Sequence, residues 1–184
     1  MIKSLAVFCG SRTGTKPIYM ETAYKLGKIL AEKKIKLVYG GAQIGIMGEV
    51  ARAALENSGE VLGVIPRSLQ TREITEQRCT ELKVVDSMHD RKMIMYDHSD
   101  AFVALPGGPG TMDEFFEIYT WSQLGFHQKK CFVLNVDGYY DHLIAHFNQM
   151  TEKGFMSQED LERVRFVESI EEVFVLTGHG PIIR

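Results

Sequence analysis

The chain has 184 residues, of which 45% are hydrophobic and 24% charged, and its formal net charge is −3. This composition is typical of a soluble globular protein, and the length fits a single domain, which we expect to span residues 1–184. The small negative charge gives no general attraction to nucleic acid or to acidic membrane surfaces. No apolar run reaches the roughly 18 residues that a membrane span needs. Neither nucleic acid nor a membrane is therefore an expected partner.

The amino terminus and the cysteines indicate a cytoplasmic protein. Residues 1–4 lead straight into a strand-like run, which argues against a signal peptide. Cys9, Cys79 and Cys131 are odd in number and lack CxxC spacing, which favours a reducing compartment. Cys9 and Cys131 lie in apolar strand contexts, so we expect both in the core. No base is evident in the sequence that would activate Cys9 as a nucleophile.

Apolar strands alternate with amphipathic helices along the whole chain. The pattern predicts strands at 4–9, 35–39, 61–65, 81–85, 101–105 and 131–135, with a shorter one near 165–167. It predicts helices at 17–33, 49–57, 88–98, 111–124, 141–153 and 169–176. Such alternation predicts an α/β fold in which a doubly wound parallel sheet has helices on both faces.

Two glycine-rich turns each follow a predicted strand and precede a predicted helix. The first, Leu-Pro-Gly-Gly-Pro-Gly-Thr, covers 105–111, and the second covers 40–48. Such turns leave backbone N–H groups free for an anion and let a ligand approach the backbone closely. One turn alone is a weak signal, because many α/β proteins need glycine there for packing. Two at the carboxyl ends of strands point to one crevice, and the shorter loop 10–14 is compatible with contacting a mononucleotide.

Glu114 follows the first turn and has two interpretations. Thr111 and Glu114 have the spacing of a capping box, in which the two side chains close a helix start. Alternatively, Glu114 is a catalytic acid beside a phosphate site, about 4.5 Å further along the helix than Thr111. On the spacing alone the two interpretations are equally open. The three glycines of 107–110 favour the ligand site, because a simple cap does not need them.

Arg91 and Lys92 form a second candidate pair. On its own, a basic pair on a helix is better interpreted as a solvated surface. However, the helix at 88–98 begins at the same predicted sheet edge as both glycine turns, where a guanidinium could hold phosphate or ribose oxygens. His142 and His146 have the i,i+4 spacing of metal ligands, but the sequence offers neither an HExxH motif nor a third ligand. We therefore expect no metal.

These motifs together resemble those of a known family. Residues 106–114 fit the pattern PGGxGTxxE, and 88–92, Met-His-Asp-Arg-Lys, fit its companion Arg-Lys segment. The chain is similar, nearly end to end, to the Lonely Guy family of cytokinin riboside 5′-monophosphate phosphoribohydrolases, often labelled lysine decarboxylase-like. The resemblance implies a Rossmann-like fold, usually a homodimer. It also implies hydrolysis of the N-glycosidic bond of an N6-substituted adenosine 5′-monophosphate to free base and ribose 5-phosphate, without a cofactor.

The resemblance also implies roles for individual residues. Glu114 and Arg91 are the expected catalytic residues. Expected substrate contacts are Lys92, Gly107, Gly108, Gly110, Thr111, Glu73 and Thr120, to which we add Met112 and Asp113 beside Thr111, and Gly41 and Gly45 in the second turn. Asp113 stands where many members have glutamate.

Other functions stay open at this point. A broader nucleoside 5′-monophosphate nucleosidase differs only in the base, and a non-catalytic nucleotide-binding module would need the phosphate turn but no acid beside the ribose. A pyridoxal phosphate decarboxylase would need a Schiff-base lysine and a partner for the ring nitrogen, and the sequence offers no convincing arrangement of either.

Overall fold

The computed structural model describes residues 1–70, 75–76 and 78–180. The strands are β1 (Ser4–Phe8), β2 (Lys36–Tyr39), β3 (Val61–Pro66), β4 (Glu81–Val85), β5 (Ala101–Ala104), β6 (Lys130–Leu134) and β7 (Val164–Val167). The α-helices are α1 (Pro17–Glu32), α2 (Gly45–Glu56), α3 (Met88–Asp97), α4 (Pro109–Gln123), α5 (Asp141–Glu152), α6 (Gln158–Leu161) and α7 (Ile170–Leu176).

The strands form one parallel sheet in the order β4-β3-β2-β1-β5-β6-β7. The chain builds outward from β1 to β4, then returns to the other side of β1 with β5 and builds outward again to β7. The connections that follow β1 and β5 therefore leave the sheet in opposite directions. In parallel sheets this divergence opens a crevice at the carboxyl ends of the two strands. The predicted fold class is confirmed.

Two apolar layers cover the two faces of the sheet. In β1, Leu5 and Val7 point into one layer, whereas Ala6 and Phe8 point into the other. The first layer contains buried residues of α1, α2 and α7, and the second contains those of α3, α4 and α5. Successive strand residues face opposite sides, so a strand covered on both faces is buried at every position. The burial of all five β1 residues follows from this.

Two helices begin earlier than the sequence predicts. Helix α2 begins at Gly45 instead of Glu49, and α4 begins at Pro109 instead of Thr111. Proline at the first helical position costs no hydrogen bond and has the φ angle that the helix needs, so α4 starts inside the glycine-rich turn. Helix α6 was not predicted because four residues are too few to show a helical period.

The cysteines lie as their sequence contexts predict. Cys9 and Cys131 are buried, Cys79 is half-buried, and all three are free thiols. None of the helices in the described part of the chain has the length and hydrophobicity that crossing a bilayer requires.

Phe147 on α5 is the centre of the aromatic packing between α4, α5 and the sheet. It is fully buried, with four aromatic ring centroids within 6.4 Å of its own. Phe147→Ala should lower the free energy of unfolding by about 3–5 kcal/mol, because it leaves a cavity in a close-packed layer. Phe155→Ala is the matched control, since Phe155 is 85% exposed, and should change it by less than about 0.5 kcal/mol. Urea unfolding measures both. Equal effects would contradict this account of the layer.

Candidate active site

A cavity of about 560 Å³ lies at the carboxyl ends of β1 and β5, where the switch in strand order places it. Its volume is within the range of small-ligand sites. The walls come from the loop after β1, the turn after β5, the starts of α1, α2, α3 and α4, and the loop after β6. The lining residues are Cys9, Gly10, Ser11, Arg12, Gly14, Tyr19, Ile46, Met47, Met88, Arg91, Pro106, Gly107, Gly108, Pro109, Gly110, Thr111, Glu114 and Tyr139.

The glycines of the turn after β5 serve two different purposes. A Cβ atom on Gly107 would lie 2.0 Å from Thr111 Oγ1 and 2.9 Å from the backbone nitrogen of Gly10. Gly107 is therefore required for packing between the two loops. A Cβ atom on Gly108 or Gly110 would meet no heavy atom of the described residues within 4 Å. The backbone of these two glycines faces open space, where a ligand can approach it.

The capping-box interpretation of Thr111 and Glu114 is wrong. The N-cap of α4 is Gly108, whose carbonyl accepts hydrogen bonds from the backbone N–H groups of Thr111 (3.1 Å) and Met112 (3.3 Å). Within the part of the chain that the structure describes, no side chain caps this helix start. Because α4 begins at Pro109, Thr111 is its third residue and Glu114 lies beyond the first turn. The position of Glu114 in α4 therefore does not fit the capping role that its spacing had suggested.

Glu114 and Arg91 act electrostatically on the same buried group, the thiol of Cys9. Burial raises the pKa of Cys9 far above its ordinary value, the nearby Glu114 raises it further, and Arg91 opposes the shift. Cys9 therefore stays a neutral thiol at physiological pH, which makes it unsuitable as a nucleophile. Glu114 is only 9% exposed and lines the cavity beside it. The site thus combines a carboxylate and a guanidinium with limited access to water.

Arg91 is held by backbone carbonyls at the carboxyl ends of β2 and β3. Its Nε donates to the carbonyl of Val64 at 3.0 Å, and its Nη2 donates to that of Gly40 at 2.9 Å. Its Nη1 lies 3.8 Å from Met88 Sδ. The residue is 6% exposed, so the solvated-surface interpretation is wrong for Arg91. The Nε and Nη2 edge of the guanidinium is therefore hydrogen-bonded to the protein backbone, and the Nη1 side is available to a ligand.

Lys92 points to a different environment. Its ammonium lies 2.9 Å from Glu117 Oε2 and 3.2 Å from Asp113 Oδ2, both on α4. Burial disfavours the charged form, but these two carboxylates outweigh it, so the pKa of Lys92 is raised. Lys92 and Asp113 do not line the cavity. They connect α3 to α4 one residue away from Arg91 and Glu114, and their predicted contacts with substrate stay a prediction.

The second glycine turn supports the site from behind. A Cβ atom on Gly40 would lie 2.0 Å from Arg91 Nη2, and one on Gly45 would lie 2.3 Å from the carbonyl carbon of Ser11. The backbone N–H groups at the start of α2 are also occupied, since Ile46 donates to Arg12 and Met47 donates to Gly10. Gly41 and Gly45 do not line the main cavity. Close packing, the alternative open from the sequence, accounts for the glycines of this turn.

The remaining predicted residues lie at varied positions. Thr120 is exposed on α4 and Met112 is half-buried, and neither lines the cavity. Glu73 lies outside the described residues. His142 and His146 are both exposed on α5, and no third metal ligand joins them in the described part of the chain.

Two tyrosines of the cavity were missed from the sequence. Tyr19 is on the first turn of α1, and Tyr139 follows β6, with their ring centroids 6.0 Å apart. The hydroxyl of Tyr139 donates to the carbonyl of Gly107 at 2.6 Å and so ties the turn after β5 to the neighbouring loop. Their positions in the sequence could have identified them, because each follows the carboxyl end of a strand close to the switch in strand order.

Comparison with known proteins identifies sequence relatives over most of the chain. A family model described as "Possible lysine decarboxylase" matches residues 47–176. The cytokinin riboside 5′-monophosphate phosphoribohydrolase LOG7 of Arabidopsis thaliana is 49% identical over 155 residues, which cover 84% of this chain and 71% of the relative. The probable cytokinin riboside 5′-monophosphate phosphoribohydrolase LOG6, also from Arabidopsis thaliana, is 44% identical over 173 residues, which cover 94% of this chain and 86% of the relative. LOGL9 of Oryza sativa subsp. japonica, a probable enzyme of that name, is 48% identical over 154 residues, covering 84% and 68%.

Solved structures share the fold at lower identity. A molybdenum cofactor binding protein from Rippkaea orientalis is 21% identical with a TM-score of 0.70, and covers 96% of each chain. The Moco carrier protein of Chlamydomonas reinhardtii is 20% identical with a TM-score of 0.71 at the same coverage. DNA processing protein A of Helicobacter pylori is 17% identical with a TM-score of 0.59, covering 95% of this chain and 79% of that chain. Identities this low show a common fold.

The dependence of Arg91 on Gly40 can be tested directly. Gly40→Ala should displace the guanidinium and weaken its bond to the backbone, which lowers kcat/KM for the expected nucleotide hydrolysis by about 10- to 100-fold. Gly154→Ala is the control for a glycine replaced away from Arg91. A Cβ atom there meets open space, and the left-handed backbone (φ 77°) should make this variant less stable while its kcat/KM stays at the wild-type value. Steady-state kinetics measure kcat/KM of both variants, and thermal unfolding measures their stability. Full activity in Gly40→Ala would show that the position of Arg91 does not matter.

Proposed function

This chain belongs to the family of cytokinin riboside 5′-monophosphate phosphoribohydrolases, and from that premise we propose that it hydrolyses the N-glycosidic bond of an N6-substituted adenosine 5′-monophosphate. The products are the free base and ribose 5-phosphate. The observation that carries the proposal is the placement of Glu114 and Arg91 in one cavity with the open backbone of Gly108 and Gly110. A phosphate site and an acid at ribose distance are the two parts that this reaction needs.

The proposed mechanism starts with the phosphate. Its oxygens accept hydrogen bonds at the start of α4, where the helix dipole and the exposed backbone of Gly108 and Gly110 favour an anion. Fixing the phosphate fixes the ribose, so binding energy remote from the bond positions C1′. The Nη1 side of Arg91, free of the backbone, is available to ribose or phosphate oxygens.

Glu114 acts on the carbon that reacts. Breaking the bond from C1′ to the base develops positive charge on the ribose, and a carboxylate beside it stabilises that charge. The same carboxylate can orient the attacking water and accept its proton. The low exposure of Glu114 strengthens the electrostatic effect, because fewer water molecules screen it.

The decarboxylase description of the family model receives no support from the cavity. A pyridoxal phosphate enzyme needs a lysine that can form a Schiff base with the cofactor. No lysine is among the described residues that line the cavity. Lys92, one residue from Arg91, is engaged with Asp113 and Glu117. We therefore favour hydrolysis of a nucleotide over decarboxylation of an amino acid.

The proposal extends to the setting of the enzyme. We propose a cytoplasmic homodimer whose partner is the nucleoside 5′-monophosphate substrate, and we propose no role for nucleic acid or a membrane. The net charge of −3 supports the absence of a role for nucleic acid and for a membrane. The free thiols support a reducing compartment. The relatives' names support the substrate class.

A substrate panel tests the proposed reaction. The purified chain is incubated with an N6-isopentenyl AMP, AMP, GMP, CMP and adenosine, and free base is quantified by chromatography. We expect release from the N6-substituted AMP and AMP. Adenosine should have a kcat/KM at least about 100-fold lower, since it lacks the charge-assisted bonds to phosphate. Similar rates on all four nucleotides would favour the broader nucleosidase. Equal turnover of AMP and adenosine would remove the phosphate site from the mechanism.

Glu114→Gln separates catalysis from binding. The amide keeps the size of the side chain but loses the charge, so kcat should fall at least about 100-fold, or about 2.7 kcal/mol of transition-state stabilisation. AMP binding measured by calorimetry should stay within a few-fold of wild type. Glu152→Gln, an exposed glutamate at the end of α5, is the control for loss of one carboxylate. Near-normal turnover in Glu114→Gln would leave a binding module as the better function.

A further inference from the structure

Arg12 is a second guanidinium at the cavity, on the loop after β1. A phosphate monoester carries about −1.5 to −2 charges at neutral pH, and the cavity also contains the carboxylate of Glu114. The single positive charge of Arg91 cannot balance this total, and its Nε and Nη2 already donate to the carbonyls of Val64 and Gly40, which leaves fewer donors for a phosphate. Among the described lining residues, Arg12 is the other arginine or lysine.

The backbone of Arg12 is fixed beside the turn after β5. The carbonyl of Arg12 accepts from the N–H of Ile46 at 3.4 Å, and the carbonyl of Gly10 accepts from that of Met47 at 3.2 Å. The N–H of Gly10 donates to the carbonyl of Pro106 at 3.1 Å. These bonds connect the loop to α2 on one side and to the turn after β5 on the other. The position of the Arg12 Cα is therefore set by the same contacts that shape the cavity.

The side chain of Arg12 is uncommitted. It is exposed, and its guanidinium forms no ion pair or hydrogen bond with the residues that the structure describes. By contrast, the arginines Arg52, Arg67, Arg78 and Arg163 each pair with a carboxylate. Arg165 on β7 is also exposed and without such a partner, and it does not line the cavity. Arg12 is thus free to bind a ligand at the cavity, and Arg165 provides a matched comparison.

We propose that Arg12 is a specificity-determining residue that binds the 5′-phosphate of the substrate, together with the backbone at the start of α4. The inference rests on the proposed function, since it assigns the phosphate of that substrate a second ligand. A planar guanidinium can form two parallel hydrogen bonds to phosphate, which a lysine cannot reproduce. Arg12 adds a second positive charge, together with hydrogen-bond donors of the kind that Arg91 directs to the carbonyls of Val64 and Gly40.

The experiment compares wild type, Arg12→Ala, Arg12→Lys and Arg165→Ala with two kinds of measurement. Kinetics with AMP and adenosine should show kcat/KM for AMP falling about 10- to 100-fold in Arg12→Ala, mainly through KM, while the adenosine value stays within about two-fold. Arg12→Lys should recover only part of the loss. Calorimetry with ribose 5-phosphate should show weaker binding in Arg12→Ala by a similar factor, and Arg165→Ala should match wild type throughout. The thermal unfolding midpoint of each variant should match that of wild type, which would show that the substitution at an exposed position leaves the fold intact.

The outcomes separate this inference from the proposed reaction. If wild type hydrolyses AMP and Arg12→Ala does so with the same KM, the role of Arg12 is overturned while the proposed function stands. An equal loss for AMP and adenosine would also overturn it, because the effect would not depend on the phosphate. If wild type releases no base from any nucleotide, the proposed function fails, and the binding of ribose 5-phosphate still decides for or against Arg12.

Discussion

The parallel pairing of β1 with both β2 and β5 determines where this protein can bind a ligand. Because the chain fills the sheet on one side of β1 before it turns to the other, the loops that leave β1 and β5 diverge and expose the sheet edge between them. The hydrogen bond from Gly10 to Pro106 joins the two loops across this edge. The turn after β5 is held at this junction from one side and by the hydroxyl of Tyr139 from the other, whereas Arg91 reaches the same cavity from the carbonyls of Val64 and Gly40.

The charged groups near the switch in strand order form two pairs, one at the cavity and one away from it. Arg91 and Glu114 are buried at the cavity, while their chain neighbours Lys92 and Asp113 form an ion pair between α3 and α4 away from it. Successive residues of a helix point about 100° apart, so one pair can face the ligand while the next pair joins the helices. Because Arg91 and Glu114, the two residues proposed to be catalytic, lie on separate helices, the ion pair that joins α3 to α4 helps to fix the separation between them.

Much of the fold and the centre of the site could be predicted from the sequence. Apolar strands, strand-to-helix glycine turns and the PGGxGTxxE motif each have a local cause, so they are readable along the chain. The roles of Gly41 and Gly45 could not be separated from the sequence, because packing and ligand binding both require glycine. The short distances from a missing Cβ atom to its neighbours show the packing requirement, and the predicted ligand contacts stay a prediction. Tyr139 and the orientation of Lys92 depend on contacts between distant segments, which no local pattern encodes. The capping-box spacing of Thr111 and Glu114 was misleading, because Pro109 starts the helix two residues earlier.

The contact between Gly40 and Arg91 links the identities of two residues that are 51 positions apart. Gly40 does not have a left-handed backbone, so its own conformation would accept alanine. The obstacle is the Arg91 guanidinium, together with the flexible Met47 side chain. A chain of this fold that had a short residue at position 91 would have no guanidinium to accommodate, and position 40 could then drift to alanine or serine. The two positions should therefore covary among relatives, with alanine or serine at position 40 only where position 91 is not an arginine held in this way.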